Sequence, residues 1–150
     1  RSAGERHARI AIFWGPGVEA DALVLKRLRK HDAFVLRKTT LQQSAACIKQ
    51  CAYFISNDSG PMHISAALGV PTLGIYGPTN PMLQGPFGPK HEWVRNEKLS
   101  CLCCNLTSCP IGNLCMTELS AETVHQAFEK LAGVPQASPK LSETKSTTHP

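Results

Sequence analysis

YFISNDSGPMHISAALGVPTLGIY, residues Tyr53 to Tyr76, reads as a strand, a turn, a helix and a second strand in one unbroken run. Tyr53 to Ser56 is short and mostly apolar, as a buried strand requires. Pro61 stands in the first turn of the expected helix Pro61 to Leu68, where its missing N–H costs nothing. Thr72 to Tyr76 then returns as a strand. A strand, a helix and a strand joined by short connections form the unit of a parallel sheet.

The pattern extends in both directions. Upstream, Ala8 to Trp14 is an apolar run ended by Gly-Pro-Gly. Glu19 to Lys30 carries Leu23, Leu25 and Leu28 at helical spacing, with basic residues gathered at its end. Ala33 to Arg37 gives a short strand, and Thr40 stands as the N-cap of a helix through Leu41, Ala45, Ile48 and Cys51. Downstream, Pro78 to Pro89 is a Pro/Gly-rich loop and Glu92 to Arg95 a strand. Ser120 caps a last helix, Ala121 to Ala132, with Gly133 just past its end. Strands apolar on both sides imply an α/β fold, a Rossmann-like parallel sheet with helices on both faces. The expected domain covers residues 1–134. From Pro135 onward the Pro/Ser/Thr/Lys composition cannot build a core, so 135–150 is expected to be a disordered tail.

With 150 residues, 42% of them hydrophobic, the chain is long enough for one such core. No stretch approaches the roughly 18 to 20 apolar residues of a membrane-spanning helix. The chain opens at Arg1 with no charged-then-apolar segment, so no signal peptide is expected and a soluble protein is. The net charge is +5. The tail supplies +1 of it, from Lys140 and Lys145 against Glu143. A mildly basic domain suits an anionic ligand or a membrane surface. Basic residues are not interleaved with aromatics, which argues against nucleic acid as a partner.

The chemistry concentrates in Ile55 to Gly69. The N–H groups that open the helix favour a phosphate. Gly60 lets a ligand approach the backbone. Asp58 offers an acceptor to sugar hydroxyls, and His63 a donor to phosphate oxygen. In open parallel sheets this carboxyl edge is where ligands bind. The plainer alternative is that Asp58 and Ser59 only cap the helix while His63 packs beneath it. A second candidate is Gly15-Pro-Gly17-Val-Glu-Ala20, which fits the dinucleotide pattern G-x-G-x-x-A. The second strand ends in Arg37-Lys38 rather than in an acidic residue, so this element suits an NADP-type module or a plain turn.

WGPGVEA (Trp14 to Ala20), Thr39-Thr40-Leu41, NDSGPMHISAALGVP (Asn57 to Pro71), YGPTNP (Tyr76 to Pro81) and Cys115-Met116 occur in this order. Over about Arg9 to Leu131 the chain resembles the C-terminal domain of the ADP-heptose:lipopolysaccharide heptosyltransferases, glycosyltransferase family 9. The resemblance implies a GT-B architecture, in which two Rossmann-like domains face each other and the C-terminal one holds the nucleotide-sugar. It places Glu19 on the adenosine ribose and Thr39 against adenine, and Asp58, Ser59, Gly60 and His63 on diphosphate and sugar. It implies inverting transfer of heptose from ADP-heptose to a lipopolysaccharide inner-core hydroxyl, with no cofactor required. The family's general base is an aspartate of the N-terminal domain, which these residues do not include. The chain is therefore expected to have no catalytic residue of its own, to bind donor and not to turn over alone. A cytoplasmic protein, peripheral at the inner face of the inner membrane, follows from the same resemblance.

Of the seven cysteines, five fall between Cys101 and Cys115. Cys101-x2-Cys104-x4-Cys109-x5-Cys115 offers four thiolates to zinc or an iron–sulfur cluster. The second pair lacks the C-x2-C of a zinc ribbon, so reduced thiols or a local disulfide are the commoner expectation. A metal-stabilised interaction domain is the alternative function built on this segment.

Overall fold

The computed structural model describes residues 9–14 and 33–133, which fall into two compact units, one within Arg1–Gln50 and the other within Cys51–Pro150. The expected helix Glu19 to Lys30, the Gly15-x-Gly17 element and the segment from residue 134 onward lie outside the described residues.

In the first unit, β1 (Ile10–Ile12) and β2 (Ala33–Val35) run parallel, with Ile10 opposite Ala33 and Ile12 opposite Val35. β1 is shorter than the apolar run that announced it. Past Ile12 the chain is tied differently: the Trp14 indole N–H donates to the Leu36 carbonyl at 2.6 Å. Helix α1 (Leu41–Ile48) begins where Thr40 caps it. The Thr40 hydroxyl accepts from the Gln43 N–H at 3.2 Å, and the Gln43 side chain accepts from the Thr40 N–H at 2.9 Å. This reciprocal pair satisfies two amide groups that a helix start otherwise leaves open. The helix stops at Ile48, before the Cys51 expected from periodicity. There the Gln50 N–H turns to the Cys47 carbonyl at 3.1 Å, a tightened last turn.

The second unit holds β3 (Phe54–Asn57), β4 (Thr72–Tyr76) and β5 (Glu92–Arg95), all parallel, with β4 in the centre. Helix α2 (Gly60–Ala67) connects β3 to β4. Side chains on β4 alternate between the two faces. Thr72 takes the Ser65 hydroxyl of α2 at 2.8 Å, and the Tyr76 hydroxyl reaches Met62 Sδ of α2 at 3.1 Å. Thr72, Gly74 and Tyr76 therefore face α2. Leu73 and Ile75 point the other way, level with Glu92 and Val94 of β5. Glu92 accepts from Lys130 Nζ at 2.9 Å, which puts α5 (Ala121–Leu131) over that second face. Tyr53 and Phe128 meet edge to face at 5.3 Å. The sheet is thus covered on both sides, and Met62, Leu73 and Tyr76 are wholly buried within it.

Ser120 accepts from the Thr123 N–H and caps α5, and Gly133 follows the helix with φ +67°, a left-handed angle that suits glycine. Two short helices were not expected. α3 (Pro81–Gln84) sits inside the Pro/Gly-rich loop, and α4 (Leu114–Thr117) inside the cysteine segment. Among the described residues no helix is long and apolar enough to cross a membrane.

Candidate functional site

At the carboxyl edge of the second sheet, β3 ends at Asn57 and the chain turns through Asp58 and Ser59 into α2. The Asp58 N–H donates to the Ile75 carbonyl at 3.1 Å, which fixes the turn against the neighbouring strand. Ser59 occupies the N-cap position in extended conformation, but its side chain does not cap the helix. The hydroxyl lies 3.0 Å from the Asn57 carbonyl and 3.0 Å from Ser56 Oγ instead. The amide end of α2 is thus left without a side-chain acceptor, the electrostatic condition for an anion site.

Met62 is buried and anchors the helix, whereas His63 is exposed. Neither half of the plain capping alternative matches these positions, since Ser59 turns away from the helix amides and His63 does not pack beneath it. Apart from its chain neighbours and its own helix backbone, no atom of the described residues lies within 4 Å of the position a Cβ on Gly60 would take. Protein packing therefore does not demand glycine there, and the space beside the backbone is open.

Asp58, Ser59, Gly60 and His63 line one open cleft of about 490 Å³, completed by Thr79, Leu83 and Gln84. Sequence reasoning missed these last three residues. The available signal was Asn80 before Pro81: the Asn80 side chain accepts from the Met82 N–H at 3.0 Å and starts α3, which forms the far wall. Tyr76 joins the two walls. Its hydroxyl donates to the Gln84 carbonyl at 2.8 Å, with Met62 Sδ as the second acceptor in reach. Burial first, and the negative charge of Asp58 second, push its pKa up to about 12. Tyr76 stays a neutral donor through the whole physiological range.

The two remaining expected contacts, Thr39 and Glu19, belong to the Arg1–Gln50 unit. The Thr39 hydroxyl pairs with Ser44 Oγ at 2.6 Å. Glu19 lies outside the described residues.

The cysteine segment packs behind the cleft. The Asn105 N–H donates to the Pro78 carbonyl at 2.9 Å, and a Cβ on Gly77 would sit 2.8 Å from Met116 Sδ and 3.3 Å from Cys115 Sγ. Arg95 donates to Cys103 Sγ at 3.2 Å while its other nitrogens hold Glu97. Cys101, Cys104, Cys109 and Cys115 are free thiols, and among the described residues no three of Cys, His, Asp and Glu are gathered as a metal ion requires. The four-thiolate arrangement suggested by spacing is not formed. The chain kinks at left-handed Cys103, Asn105 and Asn113, and Cys115 is turned toward Gly77. Gly77→Ala is expected to cost only about 1 kcal/mol in urea unfolding, because the flexible, exposed Met116 side chain can move aside.

A parallel sheet covered by helices, with an open turn at its carboxyl edge, defines an α/β domain, and comparison with known proteins narrows this. Residues 1–115 match the family model "Glycosyltransferase family 9 (heptosyltransferase)", and the chain belongs to that family. Lipooligosaccharide heptosyltransferase 2 of Campylobacter jejuni is 35% identical over 96 residues, which are 63% of this chain and 30% of that protein. Among solved structures, the E. coli heptosyltransferase WaaC with ADP is 27% identical with a TM-score of 0.61, covering 82% of this chain and 34% of that one. The glycosyl transferase family 9 structure from Veillonella parvula is 28% identical with a TM-score of 0.62, covering 82% and 36%. The chain therefore spans about a third of the length of the relatives it matches.

Proposed function

We propose that this chain is the donor-binding half of a heptosyltransferase that takes ADP-heptose and transfers heptose, with inversion, to the inner core of lipopolysaccharide. The observation that carries the reading is the cleft where Asp58, Ser59, Gly60 and His63 surround a helix start with no side-chain cap. Family membership and the likeness to a transferase solved with ADP support it.

The helix amides and His63 hold the diphosphate, Asp58 accepts from sugar hydroxyls, Glu19 takes the ribose and Thr39 lies against the base. These groups bind and orient. The proton of the attacking hydroxyl goes to a carboxylate on the domain that faces this one, while the residues named here hold the donor. The acceptor is lipid-borne, which places the enzyme in the cytoplasm at the inner face of the inner membrane. No metal or other cofactor enters the scheme.

Calorimetric titration with ADP, UDP and NADP tests the reading. Binding of ADP in preference to UDP is the expected result, and binding of NADP alone would replace the reading with a dinucleotide module built on Gly15 and Gly17. His63→Ala is expected to weaken ADP by roughly ten-fold, the scale of one charge-assisted hydrogen bond. Adenosine binding should be spared. Equal weakening of both ligands would remove His63 from the diphosphate.

A further inference from the structure

Thr79 carries a hydrogen-bonding group that the protein does not use. It lies in the turn between β4 and α3 and lines the cleft opposite Asp58, Ser59, Gly60 and His63. Its Oγ1 is shielded from water and has no partner. Among the described residues just one other buried side-chain nitrogen or oxygen is in this condition, Nδ1 of His91, which precedes β5 at the opposite edge of the sheet and does not line the cleft. The neighbouring buried hydroxyls are all paired: Ser65 with Thr72, Thr72 with the Val70 carbonyl, and Tyr76 with the Gln84 carbonyl. A buried hydroxyl without an acceptor is destabilising, and each such group in a folded protein calls for an explanation.

The turn itself is well held. Asn105 fixes the Pro78 carbonyl from behind, and Asn80 starts α3 immediately after Thr79. The Thr79 backbone is thus braced on both sides, and rotation about its Cα–Cβ bond exchanges hydroxyl and methyl between staggered positions. Such a step can re-aim the donor without moving the chain.

We infer that Thr79 is a phosphate-contact residue, its hydroxyl donating to a diphosphate oxygen of the ligand held at the start of α2. Phosphate oxygens are acceptors only, and the amides of α2 already draw a negative group to this cleft. The inference rests on the proposed ADP site and adds a contact from its second wall.

The test is calorimetric titration of the chain, Thr79→Val and Thr79→Ser with ADP and with adenosine, together with thermal unfolding without ligand. Thr79→Val should weaken ADP roughly ten-fold and leave adenosine unchanged, while Thr79→Ser keeps most of the affinity. Unliganded Thr79→Val should melt at the same temperature as the original or higher, since the deleted hydroxyl had no partner. Unchanged ADP affinity in Thr79→Val would overturn the inference. So would a melting point lowered by several degrees, because the hydroxyl would then be structural. Failure of the unsubstituted chain to bind ADP would instead sink the donor-site reading, and this inference with it.

Discussion

Gly74→Ala should destabilise the chain by about 3 kcal/mol, the upper range for overpacking a core. Gly74 lies on central strand β4, paired with Ser56 on one side and Trp93 on the other. A Cβ there would meet the Tyr76 ring at 2.7 Å and Met62 Sδ at 2.9 Å. Both of those side chains are fully buried, so neither can swing into solvent as Met116 can beside Gly77. Relief has to come from moving α2 away from the sheet, and α2 carries the candidate site. The substitution should therefore also lower ADP affinity, by displacing His63 and the helix amides. Urea unfolding and ADP titration on the same preparation check both parts. A loss below about 1 kcal/mol would mean that α2 does not pack as closely on β4 as described.

Glu19→Ala should reduce ADP affinity by roughly 1.5 to 3 kcal/mol, the range for a hydrogen bond to a charged group. At room temperature that is about 10- to 150-fold. A carboxylate that takes both ribose hydroxyls interacts with adenosine as strongly as with ADP. The two ligands should therefore weaken together, the reverse of the pattern expected for His63→Ala. Titration of both variants with both ligands separates the nucleoside end of the site from the diphosphate end. Glu19→Ala with unaltered adenosine affinity would remove Glu19 from the ribose.

The parts of the fold that sequence made plain are those governed by local chemistry. Thr40 and Ser120 stand where caps belong and both accept the expected N–H groups. The strand–helix–strand run from Phe54 to Tyr76 follows from apolar runs broken by turn residues. Composition misled at Pro81–Gln84, where proline and glycine suggested only loop. Asn80-Pro81 is a sound helix start, since asparagine caps and proline fits the first turn. The Cys101 to Cys115 segment was illegible for a different reason. Ligand spacing says which thiols can reach a common point, but left-handed Cys103, Asn105 and Asn113 decide where the chain turns. Cys103 is held by Arg95 and Asn105 by Pro78, both distant in sequence. Ser59 is instructive too. It stands at the N-cap, but Ser56 and the Asn57 carbonyl compete for its hydroxyl and leave the helix amides open. Four of the candidate residues were found from one turn, while Thr79 was missed because its significance lies in having no partner, which spacing does not reveal.

The central claim is that the opening of α2 binds the diphosphate of an ADP-linked sugar. A crystal structure of the chain with ADP tests it most directly. The expected result is phosphate oxygens within hydrogen-bonding distance of the backbone amides at Gly60 and beyond, with His63 beside them and the adenosine directed toward Glu19. ADP bound at the opposite edge of the sheet, or bound with the Asp58–His63 turn empty, would contradict it.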